Sequence, residues 1–137
     1  MQEEYKEPIM ERKSDIFLLS DRIRETSFAL HCYLKHGHLE KVYENGLAHR
    51  LRKMGLKVEQ QFPVKVYDED GTILGDYIAD LFIENSMIVE LKACRSLASD
   101  HTAQLLGYLR ACRIEHGLLI NFGGPKLEIK KYALSKI

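Results

Sequence analysis

The chain has 137 residues, 45% of them hydrophobic, and 20 basic residues stand against 20 acidic ones for a formal net charge of +0. That is the size of one domain with an ordinary core; no apolar run has the length of a membrane span, and the balanced charge excludes the strongly basic footprint of a nonspecific nucleic-acid binder, so any such surface is local. The charged start, Met1 to Lys13, resembles no secretory signal, and Cys32, Cys94 and Cys112 are too widely spaced for a disulfide framework or a zinc motif, so a cytoplasmic, reduced protein with no membrane association is expected.

We expect one domain over 1–137, with polar, Pro8-bearing residues 1–13 as a loosely ordered arm. From Ser14, a plausible helix cap, Ile16, Leu19, Ile23, Leu30 and Leu34 recur at near-helical spacing and predict a first helix ending near Gly37. His31, Cys32, His36 and His38 fall close together, but their spacing fits no standard zinc pattern. They read instead as histidines favoured by a helix end.

A second helix is predicted with Leu39, Val42, Tyr43, Gly46, Leu47, Leu51 and Met54 along one apolar face and Gly55 closing it. Glu40 borders that stripe and is either a first-turn partner of the helix dipole or a site residue. Leu56 to Tyr67 is extended in character, Asp68 to Gly71 is a turn, and Ile73 and Leu74 start a second strand. Gly75 and Asp76 interrupt that strand, which suggests a bulge that re-aims the segment carrying Asp80.

Tyr77 to Lys92 predicts two strands joined by a polar turn at Glu84, Asn85 and Ser86. Side chains alternate across a strand, so Glu90 and Lys92 share one face while Val89 and Leu91 share the other. A three-residue loop pairs Ile83 with Met87 and sets Asp80 opposite Glu90; a two-residue loop sets Asp80 opposite Leu91 instead. In the first register the Cβ atoms are about 5 Å apart, and at an effective dielectric near 20 the two charges repel by about 3 kcal/mol. A hard, oxygen-liking cation such as Mg²⁺ relieves that repulsion, and Lys92 can then steady a phosphate or a water. The alternative is an ordinary exposed salt-bridge cluster of Asp, Glu and Lys.

A third helix follows from about Asp100 to Cys112, capped by Ser99 or Asp100, with Leu105, Leu106 and Leu109 as core contacts. His101, Gln104 and Tyr108 line an adjacent face; Gln104 and Tyr108, at i and i+4, can jointly reach one ligand, or they are merely a solvated amide beside a half-buried ring. Gly117 to Asn121 is a short strand, Phe122 to Pro125 a turn without the lysine and helix of a phosphate loop, and Leu127 to Leu134 a strand alternating with lysines. The order helix, helix, three strands, helix, two strands predicts helices around a small mixed sheet, an α/β or α+β architecture.

Gly37-His-Leu-Glu40-Lys-Val-Tyr43 resembles the signature of the GxxExxY family, and Ala79-Asp80, Glu90-Leu-Lys92, Gln104-Leu-Leu-Gly-Tyr108 and Ile120-Asn-Phe-Gly123 follow in that family's order. The resemblance implies the PD-(D/E)XK nuclease superfamily: a central mixed sheet flanked by helices, and metal-dependent cleavage of phosphodiester bonds in DNA or RNA. It implies Asp80 and Glu90 as metal ligands, Lys92 as the catalytic lysine, Glu40 as an acid from the preceding helix, and Gln104 and Tyr108 as the QxxxY pair of exonuclease-like branches. Ala79 stands in place of the superfamily's proline, and Ile78 where a basic residue is expected. The expected cofactor is Mg²⁺ or Mn²⁺, seated by Asp80, Glu90, the main-chain carbonyl near Leu91 and Glu40. Gln104 and Tyr108 are expected to face this site across a cleft with His101 at its rim. Nucleic acid is the expected partner, with a protein partner or homo-oligomer as further possibilities; the alternative function is a non-catalytic nuclease-fold module that binds nucleic acid or protein.

Overall fold

Leu19, Ile23 and Leu30 are buried along one side of α1 (Ile9–Leu34), the first element of a computed structural model that describes residues 9–134. Of the arm expected over 1–13, residues 1–8 lie outside the described residues. The helix already runs from Ile9, so Ser14 lies within it and does not cap it. The chain reverses through left-handed Lys35 (φ 62°) and Gly37 (φ 113°) into α2 (Glu40–Lys53), which buries Tyr43, Glu44, Leu47, Ala48 and Leu51. This face is rotated from the expected one: Leu39, Val42 and Met54 are exposed, and an acid, Glu44, takes a place in the stripe. Leu39 is the extended residue before the helix, so it never joins the helical face. The two helices pack closely because position 46 is glycine; a Cβ there would sit 2.9 Å from the Leu30 side chain.

Five strands follow in the order β1-β2-β3-β4-β5: β1 (Val58–Tyr67), β2 (Ile73–Ile83), β3 (Met87–Lys92), β4 (His116–Asn121) and β5 (Glu128–Ala133). Neighbours are antiparallel except β3 and β4, which run parallel and are connected through α3 (Ser99–Cys112); a parallel pair requires such a crossover. One sheet face packs Leu81, Ile83, Val89, Leu91, Leu118 and Ile120 against α1 and α2. The other packs Phe82, Ile88 and Leu119 against Leu105, Tyr108 and Leu109 of α3. This is an α+β fold, a mixed five-stranded sheet flanked by three helices, consistent with a PD-(D/E)XK nuclease-like architecture. Among the described residues no helix is long and apolar enough to cross a membrane.

The loop between β2 and β3 adopts the three-residue register, Ile83 opposite Met87. The register shift in the β1–β2 ladder lies between Val66 and Tyr67, leaving Leu74 as the extra residue near the Asp68–Gly71 turn. It is therefore too far along β2 to re-aim Asp80, contrary to the expectation placed on Gly75 and Asp76. The re-aiming occurs at Gln61, whose backbone is left-handed at φ 56°. Val58 packs into the α1–α2 side, whereas Phe62 and Val64, also even-numbered, pack on the α3 side; on β2, Ala79 faces α3 while Leu81 and Ile83 face away from it. Strict alternation forbids both sets. The ladder passes from Gln60↔Leu81 to Phe62↔Ala79 without pairing Gln61 with Asp80, and both strands change face at that step.

Candidate active site

β2 and β3 pair only from Ile83↔Met87 to Leu81↔Val89, and then they part while β3 continues beside β4 to Lys92↔Asn121. Where they part, the acids take over the ladder. The Asp80 N–H donates to Glu90 Oε2 at 2.6 Å, and the Leu91 N–H donates to Asp80 Oδ2 at 2.7 Å. Each carboxylate thus satisfies an amide of the opposite strand, which fixes both side chains and leaves one oxygen of each outside this crossed pair. Burial raises the Asp80 pKa to about 6, reinforced by Glu40 and Glu44 and opposed by the Leu91 amide and by Lys92. Burial, with the Asp80 charge next, raises Glu90 to about 8 against the Asp80 amide and Lys92. Two buried acids at one point are costly as a pair of anions.

Lys92 Nζ donates to Gln104 Oε1 at 3.1 Å. The exposed salt-bridge cluster weighed from the sequence does not form: Glu90 is only 3% exposed, and among the described ion pairs none involves Lys92. Its backbone is held from the other side, since the Phe122 N–H donates to the Lys92 carbonyl at 2.8 Å. Buried Asn121 secures the chain leaving β3 by bonding the Cys94 N–H and carbonyl, and a Cβ on Gly123 would lie 2.2 Å from the Cys94 nitrogen. The Ile120-Asn-Phe-Gly123 stretch is therefore a clamp on the end of the Glu90–Lys92 strand.

On α3, Gln104 is exposed and meets Lys92, while Tyr108 is only 8% exposed and packs into the α3-side core. Burial raises the Tyr108 phenol, and the nearby charges of Glu90 and Asp80 raise it further. His101 caps the start of its own helix. Its Nδ1 accepts the Ala98 N–H at 3.0 Å while its own N–H donates to the Ala98 carbonyl at 3.0 Å, so Ala98 occupies the cap position expected for Ser99 or Asp100 and His101 secures the start of its own helix.

Glu40 opens α2 on an exposed first turn. Surrounding protein still desolvates its carboxyl enough to raise its pKa, with Lys92 lowering it and Glu44 raising it. Tyr43 sets the entry to this turn: its hydroxyl donates to the Lys35 carbonyl and accepts the His38 N–H, and its ring stacks on Phe122 with centroids 4.7 Å apart. Gly37, Glu40 and Tyr43 thus form one local device, a left-handed turn locked by a tyrosine that presents an acid.

Glu44 is the residue that sequence reasoning missed. It is 3% exposed, and its two oxygens accept Gln60 Nε2 at 2.7 Å, Gln61 Nε2 at 2.9 Å and Lys41 Nζ at 3.2 and 3.3 Å. It holds both glutamines at the kink where β1 and β2 change face. The signal was available: an acid directly after Tyr43, inside the stripe that continues through Leu47, Ala48 and Leu51.

The donor set fits a hard divalent cation. The crossed pair offers carboxylate oxygens and no sulfur or imidazole, and the mutual repulsion of the acids is what a cation relieves. Among the described residues no three His, Cys, Asp or Glu side chains converge on one point. Glu40, on the first turn of α2, is not grouped with Asp80 and Glu90 in such a cluster, although its charge acts on both. One or two carboxylates with water and phosphate oxygens is the usual manner of Mg²⁺ binding. The His31, Cys32, His36 and His38 group forms no metal site either: His31 is buried with Nε2 3.0 Å from the Gly124 carbonyl, and Cys32 is exposed.

No curated protein matches this chain. Among solved structures it is similar to the crystal structure of SSO0001, with 20% identity and a TM-score of 0.58 over 71% of this chain and 50% of that one. The likeness is one of fold, and the chain spans half the length of that structure. The family model described as the PD-(D/E)XK nuclease superfamily matches residues 18–132, from α1 to the last strand. Taken with a mixed sheet that parts at Asp80 and Glu90, this match shows that the chain belongs to the PD-(D/E)XK nuclease superfamily.

Proposed function

We propose that this protein is a metal-dependent nuclease of the GxxExxY family, carried by one domain, that hydrolyses phosphodiester bonds in DNA or RNA with Mg²⁺ or Mn²⁺. The observation that carries the reading is the crossed pair of hydrogen bonds between Asp80 and Glu90, which holds two mutually repelling acids in place at the point where β2 leaves β3. Asp80, Glu90 and the Leu91 carbonyl would hold the ion, which would supply Lewis-acid polarisation of a phosphoryl oxygen and offset developing negative charge.

The remaining steps fall to the chain's own groups. Lys92, bonded to a neutral amide and not to an acid, is free to exchange Gln104 for a phosphate oxygen or an attacking water. Glu40, its pKa raised by partial burial, accepts a proton from water at the edge of the site. Gln104 and Tyr108 orient the substrate, the first through its amide and the second through its hydroxyl. The test is incubation of labelled single- and double-stranded DNA and RNA with Mg²⁺ or Mn²⁺. The expected result is metal-dependent cleavage that falls by about a hundredfold or more in Lys92→Ala. Binding without cleavage of any of these substrates would replace this reading with a non-catalytic module.

A further inference from the structure

The outer part of the β1–β2 hairpin and the exposed side of α3 enclose a cavity of about 570 Å³, within the size range of small-molecule sites. Its lining includes Tyr77, Gln104, Gly107, Tyr108 and Arg110, and no acidic residue. Gln104 is also the bonding partner of Lys92, so one side chain borders both the cavity and the candidate active site. Tyr77 is 52% exposed although it is a large aromatic. The Tyr77 and Tyr108 rings lie 5.7 Å apart and tilted by 34°, an open corner and not a closed stack. Gly107 leaves the helix surface bare at this point; a Cβ there would meet nothing within 4 Å.

We propose that this cavity is a nucleobase subsite: an unpaired base of the strand whose phosphate lies at Asp80, Glu90 and Lys92 stacks on Tyr77, and Arg110 takes a neighbouring phosphate. The inference rests on the nuclease reading and narrows its substrate class to single-stranded or frayed nucleic acid. A base inside a duplex has both faces covered by its neighbours and cannot enter the corner, whereas an unpaired base has a free face that any aromatic ring accepts. An anionic strand suits a lining with one arginine and no acid.

The test is fluorescence anisotropy with the full chain and labelled oligonucleotides: a single strand, the same strand with one abasic position at each end, and a blunt hairpin duplex. Ca²⁺ replaces Mg²⁺ to keep the strands intact. Wild type is expected to bind the intact single strand about tenfold more tightly than the abasic one or the duplex. Gly107→Phe, which fills the cavity from a position with open space, and Tyr77→Ala, which removes a half-exposed ring, are each expected to erase that difference while Mn²⁺ affinity by calorimetry stays at the wild-type value. Equal affinity of wild type for the intact and abasic strands, or an unchanged preference in both variants, would overturn the subsite. A protein that cleaves but shows no such preference keeps the nuclease reading and loses this one; a protein that shows the preference but never cleaves does the reverse.

Discussion

At the scale of single residues, the site is two carboxylates that replace a stretch of β-ladder. Because burial raises Asp80 to about 6 and Glu90 to about 8, the folded metal-free protein keeps protons that the unfolded chain releases near pH 4. Stability from this source is complete below that pH and is lost as pH rises through about 8. The melting temperature of metal-free protein is therefore expected to fall between pH 5 and pH 8, and Glu90→Gln, which keeps an acceptor for the Asp80 N–H, to flatten the profile; differential scanning fluorimetry across pH measures both. Lys92 behaves differently. Its side-chain bond is to an exposed glutamine, so Lys92→Ala is expected to change stability by less than about 0.5 kcal/mol while removing most activity. A large loss of stability in a denaturant titration would make Lys92 a structural residue.

At the scale of elements, the site depends on a kink that no motif announces. Gln61 is left-handed inside a strand, a conformation costly for a side chain and most of all for a β-branched one, and buried Glu44 holds its amide in place. Gln61→Gly accepts the backbone angle and is expected to keep metal affinity; Gln61→Val cannot, and is expected to lose about 1–2 kcal/mol and to weaken Mn²⁺ binding. Glu44→Ala removes the buried carboxylate that ties Gln60 and Gln61 to α2 and is expected to cost about 1–2 kcal/mol and to weaken Mn²⁺ binding, although Glu44 makes no hydrogen bond to Asp80 or Glu90; urea unfolding and calorimetry separate the two effects. This explains which parts of the fold were legible in the sequence. The order of elements was readable because apolar spacing at Leu19, Ile23 and Leu30 and β-branched runs at Val64 and Ile88 carry their own periodicity. The Ile83↔Met87 register was one of two that the turn allowed. The kink was not readable, since glutamine carries no mark of a positive φ, and the Gly75-Asp76 pair drew the expectation to the wrong place. Glu44 was hidden by taking the α2 face from Leu39 and Val42, which lie outside it, and the capping role of His101 because an alanine gives no sign of a cap position.

At the scale of the whole molecule, the mixed sheet is parted at one point, with Glu40 of α2 near enough for its charge to raise the pKa of the acids there and α3 placing Gln104 beside Lys92. The neutral net charge fits the proposed local grip on an anionic strand, for which Lys92, Arg110 and the proposed cation are the positive groups. The claim on which all of this depends is that the gap between Asp80 and Glu90 holds a divalent ion, and the most direct measurement is isothermal titration calorimetry of Mn²⁺ into metal-free protein at pH 7.5, for wild type and for Asp80→Asn. The expected result is a saturable site in wild type with release of protons from the raised carboxyls, and loss of that site in Asp80→Asn. Equal Mn²⁺ affinity in the two proteins would contradict it.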